Sequence, residues 1–161
     1  FHFDAGLYAR FLRQAARALV TQPSVQASRL HEEEALELIA EARRVQETVL
    51  AQEDYSDTWE AGSLERDLSD VLWRCDDNMR AVEASQRAIE GFMSVGDRVT
   101  AAREYAFICR LYAENREAPG AREAAQDALD KGRELLADLR WDHPDEVRIL
   151  DATEEFLNRE E

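Results

Sequence analysis

The sequence predicts an all-α fold of about seven helices arranged in consecutive pairs. Apolar residues recur at i, i+3 and i+4 spacing along most of the chain, which is typical of amphipathic helices. Short groups of Asp, Asn, Gly and Pro interrupt this spacing at intervals that suit helix ends. One helical segment recurs forty residues later, and no sustained period-two alternation indicates a strand.

The composition suits a single helix-rich domain. The 161 residues are enough to bury a sizeable core, and six glycines and three prolines are few for this length. No apolar run approaches the ~20 residues that span a bilayer, and no leader resembles a signal peptide, so we expect a cytoplasmic protein. We take residues 1–161 as one repeat domain, and the start at Phe1 indicates a domain cut from a longer protein. Arginine outnumbers lysine nineteen to one, which points to a GC-rich bacterial gene.

The helix ends follow from the residues that break the apolar spacing. Pro23 ends the first helix, and Pro119 with Gly120 opens the sixth. Gly96 followed by Asp97 predicts the C-terminal cap of the fourth helix. The fifth helix is apolar around most of its circumference, which predicts the most enclosed position. The predicted ranges, in chain order, are Asp4–Val20, Ser28–Gln52, Thr58–Arg74, Met79–Val95, Val99–Glu114, Pro119–Leu139 and Asp142–Arg159.

An internal repeat is the main evidence for the arrangement of the helices. Residues Ala81–Glu90 and Ala121–Asp130 share five identities and two close replacements at a separation of forty residues. A weaker copy, Ala35–Ala42, lies forty-six residues before the first of these. Each copy begins the second helix of a predicted pair, where small residues allow neighbouring helices to approach closely. Stacked pairs would then bury one continuous core.

These segments resemble the tetratricopeptide repeat family. The small-residue slots of the family's second helix hold Ala81, Ser85 and Ala88 in one copy and Ala121, Ala125 and Ala128 in the next. The family's first helix has an aromatic residue, then Leu and a small residue, then Tyr. Those slots hold Tyr105, Ile108, Cys109 and Tyr112 in the best copy, and Leu68, Ser69 and Leu72 in the middle copy, where Glu65 replaces the aromatic residue.

The resemblance implies a right-handed α-α superhelix of about three helix pairs plus a terminal helix. The first helix of each pair would line a concave face. The repeat period is nearer forty residues than the family's thirty-four, and the family's terminal proline is missing, so the array is divergent with longer helices. A closed helical bundle, in which Ala-rich segments match through composition alone, is the alternative.

Motifs for catalysis, metal binding and cofactor binding are missing from the sequence. His31 and Glu32–Glu34 do not form a His-Glu-x-x-His motif, because Ala35 occupies the place of the second histidine. No P-loop, Gly-x-Ser-x-Gly or dinucleotide fingerprint occurs. Cys75 and Cys109 lack Cys-x-x-Cys spacing and are predicted to be buried, reduced thiols, since nucleophilic chemistry would require a histidine placed by tertiary folding. We expect no enzyme, no catalytic or metal-binding residues and no cofactor.

The predicted partner-binding face belongs to the first helix of each pair. The first helix carries three arginines against one carboxylate, whereas Arg29–Glu53 carries three against seven. Trp73 projects away from the apolar stripe of its helix and shares a face with Arg66, Asp70 and Trp59, and Trp and Arg are enriched at binding hot spots. The predicted site residues are Arg10, Arg13, Arg17, Arg66, Asp70, Trp73, Arg103 and Arg110.

A protein or peptide with an acidic segment or a C-terminal carboxylate fits these residues, because arginine grips carboxylates with two parallel hydrogen bonds. The net charge of −15 argues against direct nucleic-acid binding, and no membrane contact is expected. The family's carboxylate clamp uses lysines and asparagines, whereas the matching faces carry Arg13, Arg17, Arg66, Asp70 and Arg103, so its chaperone-tail specificity does not carry over.

Simpler interpretations stay open for the same residues. Arg10, Arg13 and Arg17 lie opposite the apolar stripe of their helix, where a solvated face and ion pairs with neighbouring glutamates would account for them. Packing against a neighbouring helix would account for Trp73.

Two functions fit the predicted fold. The first is a protein- or peptide-binding interaction module, a scaffold that uses the concave face. The alternative is a ligand- or peptide-sensing regulatory domain of a bacterial transcription or signalling protein. A helical enzyme would need a buried acid–base pair, which the sequence does not reveal. The sequence leaves open the identity of the partner, the choice between scaffold and sensor, the flanking domains, and the oligomeric state, a homo-oligomer included.

Overall fold

The computed structural model describes residues 4–21, 29–53, 58–139 and 142–159. These residues form seven α-helices and no strand, which confirms the all-α prediction. Most predicted ends agree within two residues, but α6 ends earlier than predicted, because residues 137–139 form a turn. The helices are α1 (Ala5–Thr21), α2 (Arg29–Glu53), α3 (Thr58–Arg74), α4 (Asn78–Ser94), α5 (Arg98–Glu114), α6 (Ala121–Leu136) and α7 (Pro144–Asn158).

The helices pack most extensively as consecutive pairs: α1 with α2, α3 with α4, and α5 with α6. Gly62 near the start of α3 lies against Ala88 and Phe92 near the end of α4, so these two helices are antiparallel. A Cβ atom on Gly62 would lie 3.0 Å from the Ala88 carbonyl oxygen, which shows how closely the backbones approach. Gly132 near the end of α6 lies in the same way against Ala102 near the start of α5.

The first helices of the pairs run parallel to one another. Arg10 contacts Glu60 near the start of α3, and Arg17 contacts Asp70 further along, so α1 and α3 point in the same direction. Two side chains of α3 form hydrogen bonds with residues of α5 and its N-cap that lie 38 and 41 positions later in the chain. That offset matches the forty-residue repeat. The last helix, α7, packs on α5 and less extensively on α6.

Two hydrophobic clusters form the core of the described residues, and α3 contributes to both. The smaller cluster joins α1 and α2 to Leu64 and Val71 of α3. The larger cluster runs from Leu72 of α3 through the later helices to α7. Leu36 of α2 and Leu68 of α3 pack against both clusters. Burial of apolar surface, at roughly 25 cal/mol per Å², therefore ties the first pair to the rest of the fold through α3.

Helix α5 contacts α4, α6 and α7 and has eight buried residues, in agreement with the apolar circumference of its sequence. One of the eight is a glutamate, Glu104. The small residues among them, such as Ala101 and Ala102, allow the neighbouring backbones to lie close. A helix enclosed on this many sides can hold a polar side chain only where a neighbour supplies a hydrogen bond.

The same turn joins α3 to α4 and α4 to α5. After α4, Gly96 adopts a left-handed φ of 76°, and the N–H groups of Gly96 and Asp97 bond to carbonyl oxygens of the last helical turn. After α3, Asp76 takes the place of Gly96 with a φ of 63°, and Asp77 takes the place of Asp97. Asp77 and Asp97 then cap the next helix by accepting a backbone N–H bond from the residue three positions on. The predicted cap at Gly96 is confirmed.

Replacing Asp76 by Gly should stabilise the protein, because a residue with a side chain in the left-handed region costs roughly 1 kcal/mol. We expect the free energy of unfolding in urea to rise by about 0.5–1 kcal/mol. Asp76→Asn is the charge control. Gly96→Ala should lower stability by a similar amount, since no atom lies within 4 Å of the added Cβ and only the backbone conformation opposes it. No change in either Asp76→Gly or Gly96→Ala would contradict this account of the turns.

Candidate functional site

The eight residues of the predicted binding face all lie on α1, α3 and α5. Polar and aromatic side chains from these helices meet along two lines of contact. The α1–α3 seam contains Arg10, Arg13, Arg17, Glu60, Asp67 and Asp70. The α3–α5 seam contains Trp73, Arg74, Phe107, Arg110 and Glu114.

The α1–α3 seam is a row of ion pairs. Arg10 Nη2 lies 3.4 Å from Glu60 Oε1, and Arg17 Nε lies 3.1 Å from Asp70 Oδ2. Both arginine side chains are about half exposed, with exposed fractions of 56% and 49%. Ion pairing within the chain therefore accounts for the positions of Arg10 and Arg17. Pairs with this exposure are typically worth less than about 1 kcal/mol each.

Arg13 departs from its predicted position. The sequence assigned it, with Arg10 and Arg17, to an accessible partner-binding face, but its side chain is only 6% exposed, because α3 lies across that face of α1. Its Nε atom lies 3.1 Å from Asp67 Oδ2, although the N–H bond is not directed at a hydrogen-bond partner. Asp67 is also buried, and burial raises the pKa of Asp67 despite the guanidinium groups of Arg13 and Arg17. A partner could reach Arg13 only if α1 moved.

Trp73 is the centre of the α3–α5 seam. Its ring meets Phe107 edge-on, with the two ring centroids 5.6 Å apart. The indole Nε1 donates a hydrogen bond of 2.7 Å to Glu114 Oε2. The guanidinium carbons of Arg74 and Arg110 lie 5.2 and 4.8 Å from the Trp73 ring centroid, within the range of cation–π attraction. Trp73 is thus half-buried against α5 and carries two cations at its ring.

Arg74 and Arg110 are held through one end of each guanidinium group. Arg74 Nε donates to Asp70 at 3.2 Å, and Arg110 Nε donates to Glu114 at 2.8 Å. The Nη atoms of both arginines have no hydrogen bond to any residue that the structure describes. Because both guanidinium carbons lie near one ring centroid, they are at most about 10 Å apart. Two partly exposed cations are therefore fixed in position with hydrogen-bond donors to spare.

Arg66, Arg103 and Trp59 do not join this group. Arg66 lies over the ring of Phe92 on α4, with 5.6 Å between its guanidinium carbon and the ring centroid. Arg103 donates to Glu146 of α7. Trp59 also packs against Phe92, at the opposite end of α3 from Trp73. The sequence put Trp59 on the same helix face as Trp73, but fourteen residues at 1.5 Å rise separate the two rings by about 21 Å along the axis.

Positive and negative charges balance along these contacts, in contrast to the acidic chain as a whole. The arginines of the two seams, with Arg66 and Arg103, number seven. Among the residues that the structure describes, seven carboxylates contact or adjoin them: Glu60, Asp67, Asp70, Asp97, Glu104, Glu114 and Glu146. The whole chain has a net charge of −15. The face built by α1, α3 and α5 is therefore close to neutral, and the acidic excess lies elsewhere.

Arg74, Glu104, Phe107 and Glu114 are among the residues at these contacts that sequence reasoning missed. Arg74 follows Trp73 directly, and Glu114 lies four positions after Arg110, so a search for pairs at helical spacing would have found both. Phe107 counted in the sequence only as one of the apolar residues around most of the circumference of the fifth helix. Glu104 gave no signal, because a lone glutamate in a helix is usually exposed and its burial here depends on a hydroxyl from α4.

Other chemistry is limited in the described part of the chain. Cys109 is buried as predicted and Cys75 is half-buried. Burial raises the pKa of each thiol to about 11, so both are protonated at neutral pH. Within the ranges that the structure describes, no three His, Cys, Asp or Glu side chains are grouped to bind a metal. No helix in those ranges combines the length and apolarity needed to span a membrane.

Replacing Arg13 by Ala should destabilise the protein strongly. The change leaves Asp67 buried with the half-exposed Arg17 as its ion-pair partner, and breaking a buried pair costs about 3–5 kcal/mol. Arg10→Ala removes the same charge from the exposed end of the seam and should cost less than about 1 kcal/mol. Urea denaturation of the two variants measures the difference. Equal losses would contradict the buried position of Arg13.

Comparison with known proteins gives no relative from which to transfer a function. No family model, curated protein or solved structure matches the chain. The resemblance to the tetratricopeptide repeat family therefore stands on the residues of the repeat copies and stays a prediction.

Proposed function

We propose that this chain is a protein- or peptide-binding module, built as a right-handed array resembling tetratricopeptide repeats. Its partner would bind across the α3–α5 seam through an acidic segment or a C-terminal carboxylate. The observation that carries the proposal is the group at Trp73. A half-buried indole there carries two guanidinium groups, and their Nη atoms have no partner among the described residues.

The arrangement of the helices supports the array. Three consecutive helix pairs follow one another along the chain. Contacts between the first helices of the second and third pairs join residues 38 and 41 positions apart, which is close to the sequence repeat. In a stack of this kind, one helix from each pair contributes to a common surface. The binding residues therefore come from helices that the core already holds in place. A preformed surface loses less conformational entropy on binding than a mobile loop does.

The spacing of the two arginines favours an extended acidic peptide. Alternate side chains on an extended chain lie about 7 Å apart, and the two guanidinium carbons are at most about 10 Å apart. Two carboxylates at alternate positions can therefore reach Arg74 and Arg110 together. An acidic side chain close to a free C-terminus offers a similar pair of carboxylates. Charge-assisted hydrogen bonds of this kind contribute about 1.5–3 kcal/mol each.

Stacking on Trp73 prepares the arginines for this role. An arginine side chain loses up to about 2 kcal/mol of rotamer entropy when it is fixed, and the ring and the Nε bonds have already restricted Arg74 and Arg110. The carboxylates of Asp70 and Glu114 accept hydrogen bonds from the Nε–H groups of the arginines. The Nη–H groups can therefore bind an incoming carboxylate.

The proposal predicts that removing both arginines weakens peptide binding at least tenfold. The experiment titrates a short peptide with two aspartates at alternate positions against wild type and the Arg74→Gln, Arg110→Gln double variant by isothermal calorimetry. The control is the Arg148→Gln, Arg159→Gln double variant, which removes the same charge from two exposed ion pairs, one within α7 and one at its C-terminal end. The loss should be confined to the first variant, because only Arg74 and Arg110 bind the peptide at the proposed site and each charged hydrogen bond contributes about 1.5–3 kcal/mol.

Other arms of the same titration separate the remaining outcomes. Equal affinity for all three proteins would contradict the site, and equal losses in both double variants would show attraction to charge alone. A peptide amidated at its C-terminus tests whether the terminal carboxylate contributes. The Arg66→Ala, Arg103→Ala double variant tests whether the binding face extends beyond the α3–α5 seam, and unchanged affinity would confine the face to the Trp73 end of α3.

A regulatory sensing domain is the second candidate. The observation that favours it is a buried ionisable group, Glu104, at the meeting point of three helices, since sensors use such groups to change their packing. If the chain is a sensor, binding of its ligand or peptide should change the protection of amides in α3, α4 and α5 against hydrogen exchange. Protection that is unchanged outside the binding face would favour the interaction module instead.

A further inference from the structure

A chain of buried oxygen atoms crosses α3, α4 and α5. Ser69 Oγ lies 2.7 Å from the Ala81 carbonyl oxygen and 2.8 Å from Ser85 Oγ. Ser85 Oγ lies 3.2 Å from Glu104 Oε2. Both serines are fully buried, and Glu104 is 5% exposed. The middle of the α3–α4 pair is therefore linked to α5 by polar contacts that bulk water does not reach.

The number of hydrogens in this chain of oxygen atoms depends on whether Glu104 is protonated. The three contacts between oxygen atoms need three hydrogens, but the two serine hydroxyls supply only two, and the carbonyl oxygen can only accept. With Glu104 ionised, one contact therefore has no hydrogen. A protonated Glu104 can donate to Ser85, which donates to Ser69, which donates to the Ala81 carbonyl. The neutral acid thus satisfies every contact.

The surroundings of Glu104 also favour the neutral acid. Burial raises the pKa of Glu104 to about 7, while Arg66 and the Ser85 hydroxyl act in the opposite direction. Asp67 and Asp70 of α3 raise it further through charge repulsion. Helix α4 contributes Ser85, whereas α6 and α7 meet α5 on other surfaces, through Gly132 against Tyr105 and Glu146 paired with Arg103.

We propose that Glu104 is a proton-dependent latch between α3, α4 and α5, closed when its carboxyl group is neutral and weakened when that group ionises. In the closed state the chain of hydrogen bonds runs unbroken from α5 to the Ala81 carbonyl of α4. In the ionised state two buried oxygen atoms lie in contact with no hydrogen between them. A buried polar atom without a hydrogen bond costs free energy. The latch concerns the joint between helices, so it stands whether or not the proposed partner exists.

A carboxyl ¹³C NMR titration of Glu104 tests the latch directly. In the wild type its midpoint should lie near pH 7 instead of the ordinary 4.5. Ser69→Ala removes a hydroxyl that contacts Ser85 and not Glu104. The remaining contact, in which Ser85 donates to Glu104, then has its hydrogen even when Glu104 is ionised. The midpoint in Ser69→Ala should therefore move towards 4.5. A midpoint near 4.5 in the wild type, or one that Ser69→Ala leaves unmoved, would overturn the proposal.

Stability against pH gives a second readout. Folding raises the pKa of Glu104, so its contribution to stability is complete below about pH 4.5 and is lost as the pH rises through about 7. The unfolding equilibrium constant of the wild type should increase from pH 5 to pH 8 more steeply than that of Glu104→Gln, by on the order of a hundredfold. Glu83→Gln, an exposed change on α4, should keep the wild-type slope. Parallel slopes for wild type and Glu104→Gln would count against the latch.

Discussion

The burial of α3 between the N-terminal pair and α4 is the constraint on which the rest of the structure depends. A helix enclosed on two sides must be apolar on both, or its polar groups must find partners inside the protein. The sequence of α3 does both: Leu64 and Leu72 enter separate core clusters, while Asp67 and Ser69 are buried with partners from other helices. Those partners, Arg13 on one side and Ser85 on the other, connect α3 to its neighbours through specific contacts as well as through apolar area.

Local features of the fold were predictable because they depend on neighbours in the sequence. Apolar spacing and helix-breaking residues located seven helices. Gly96 marked the end of α4, because that cap depends only on a left-handed backbone conformation that glycine adopts easily. The extension of α6 to Leu139 was wrong, because residues 137–139 continue the apolar spacing while forming a turn. The site was less predictable. Helical spacing gives the direction of Arg13 from its axis, but not that another helix lies there.

The same distinction between local sequence and tertiary packing explains which contacts of the α3–α5 seam could be predicted. Trp73 and Arg110 could be named from their types and from the face of the helix they occupy, but their meeting depends on the distance between two helices. Near this seam the local charge counts for more than the net charge of −15, because at physiological salt a charge is screened within about 8 Å. An acidic ligand close to Arg110 would therefore respond to the nearby cations, and the distant carboxylates would mainly slow its approach.

The two indole N–H bonds of α3 have a mechanical consequence. Trp59 is tied to Asp97 at 2.9 Å and Trp73 to Glu114 at 2.7 Å, so α3 and the α5 region are attached at both ends of a helix about 21 Å apart. Two separated attachments resist a change of crossing angle, whereas the half-exposed side chains of Arg10 and Arg17 between α1 and α3 can follow small displacements. Bending of the molecule should then concentrate between the first and second helix pairs, and the second and third should move as one rigid unit.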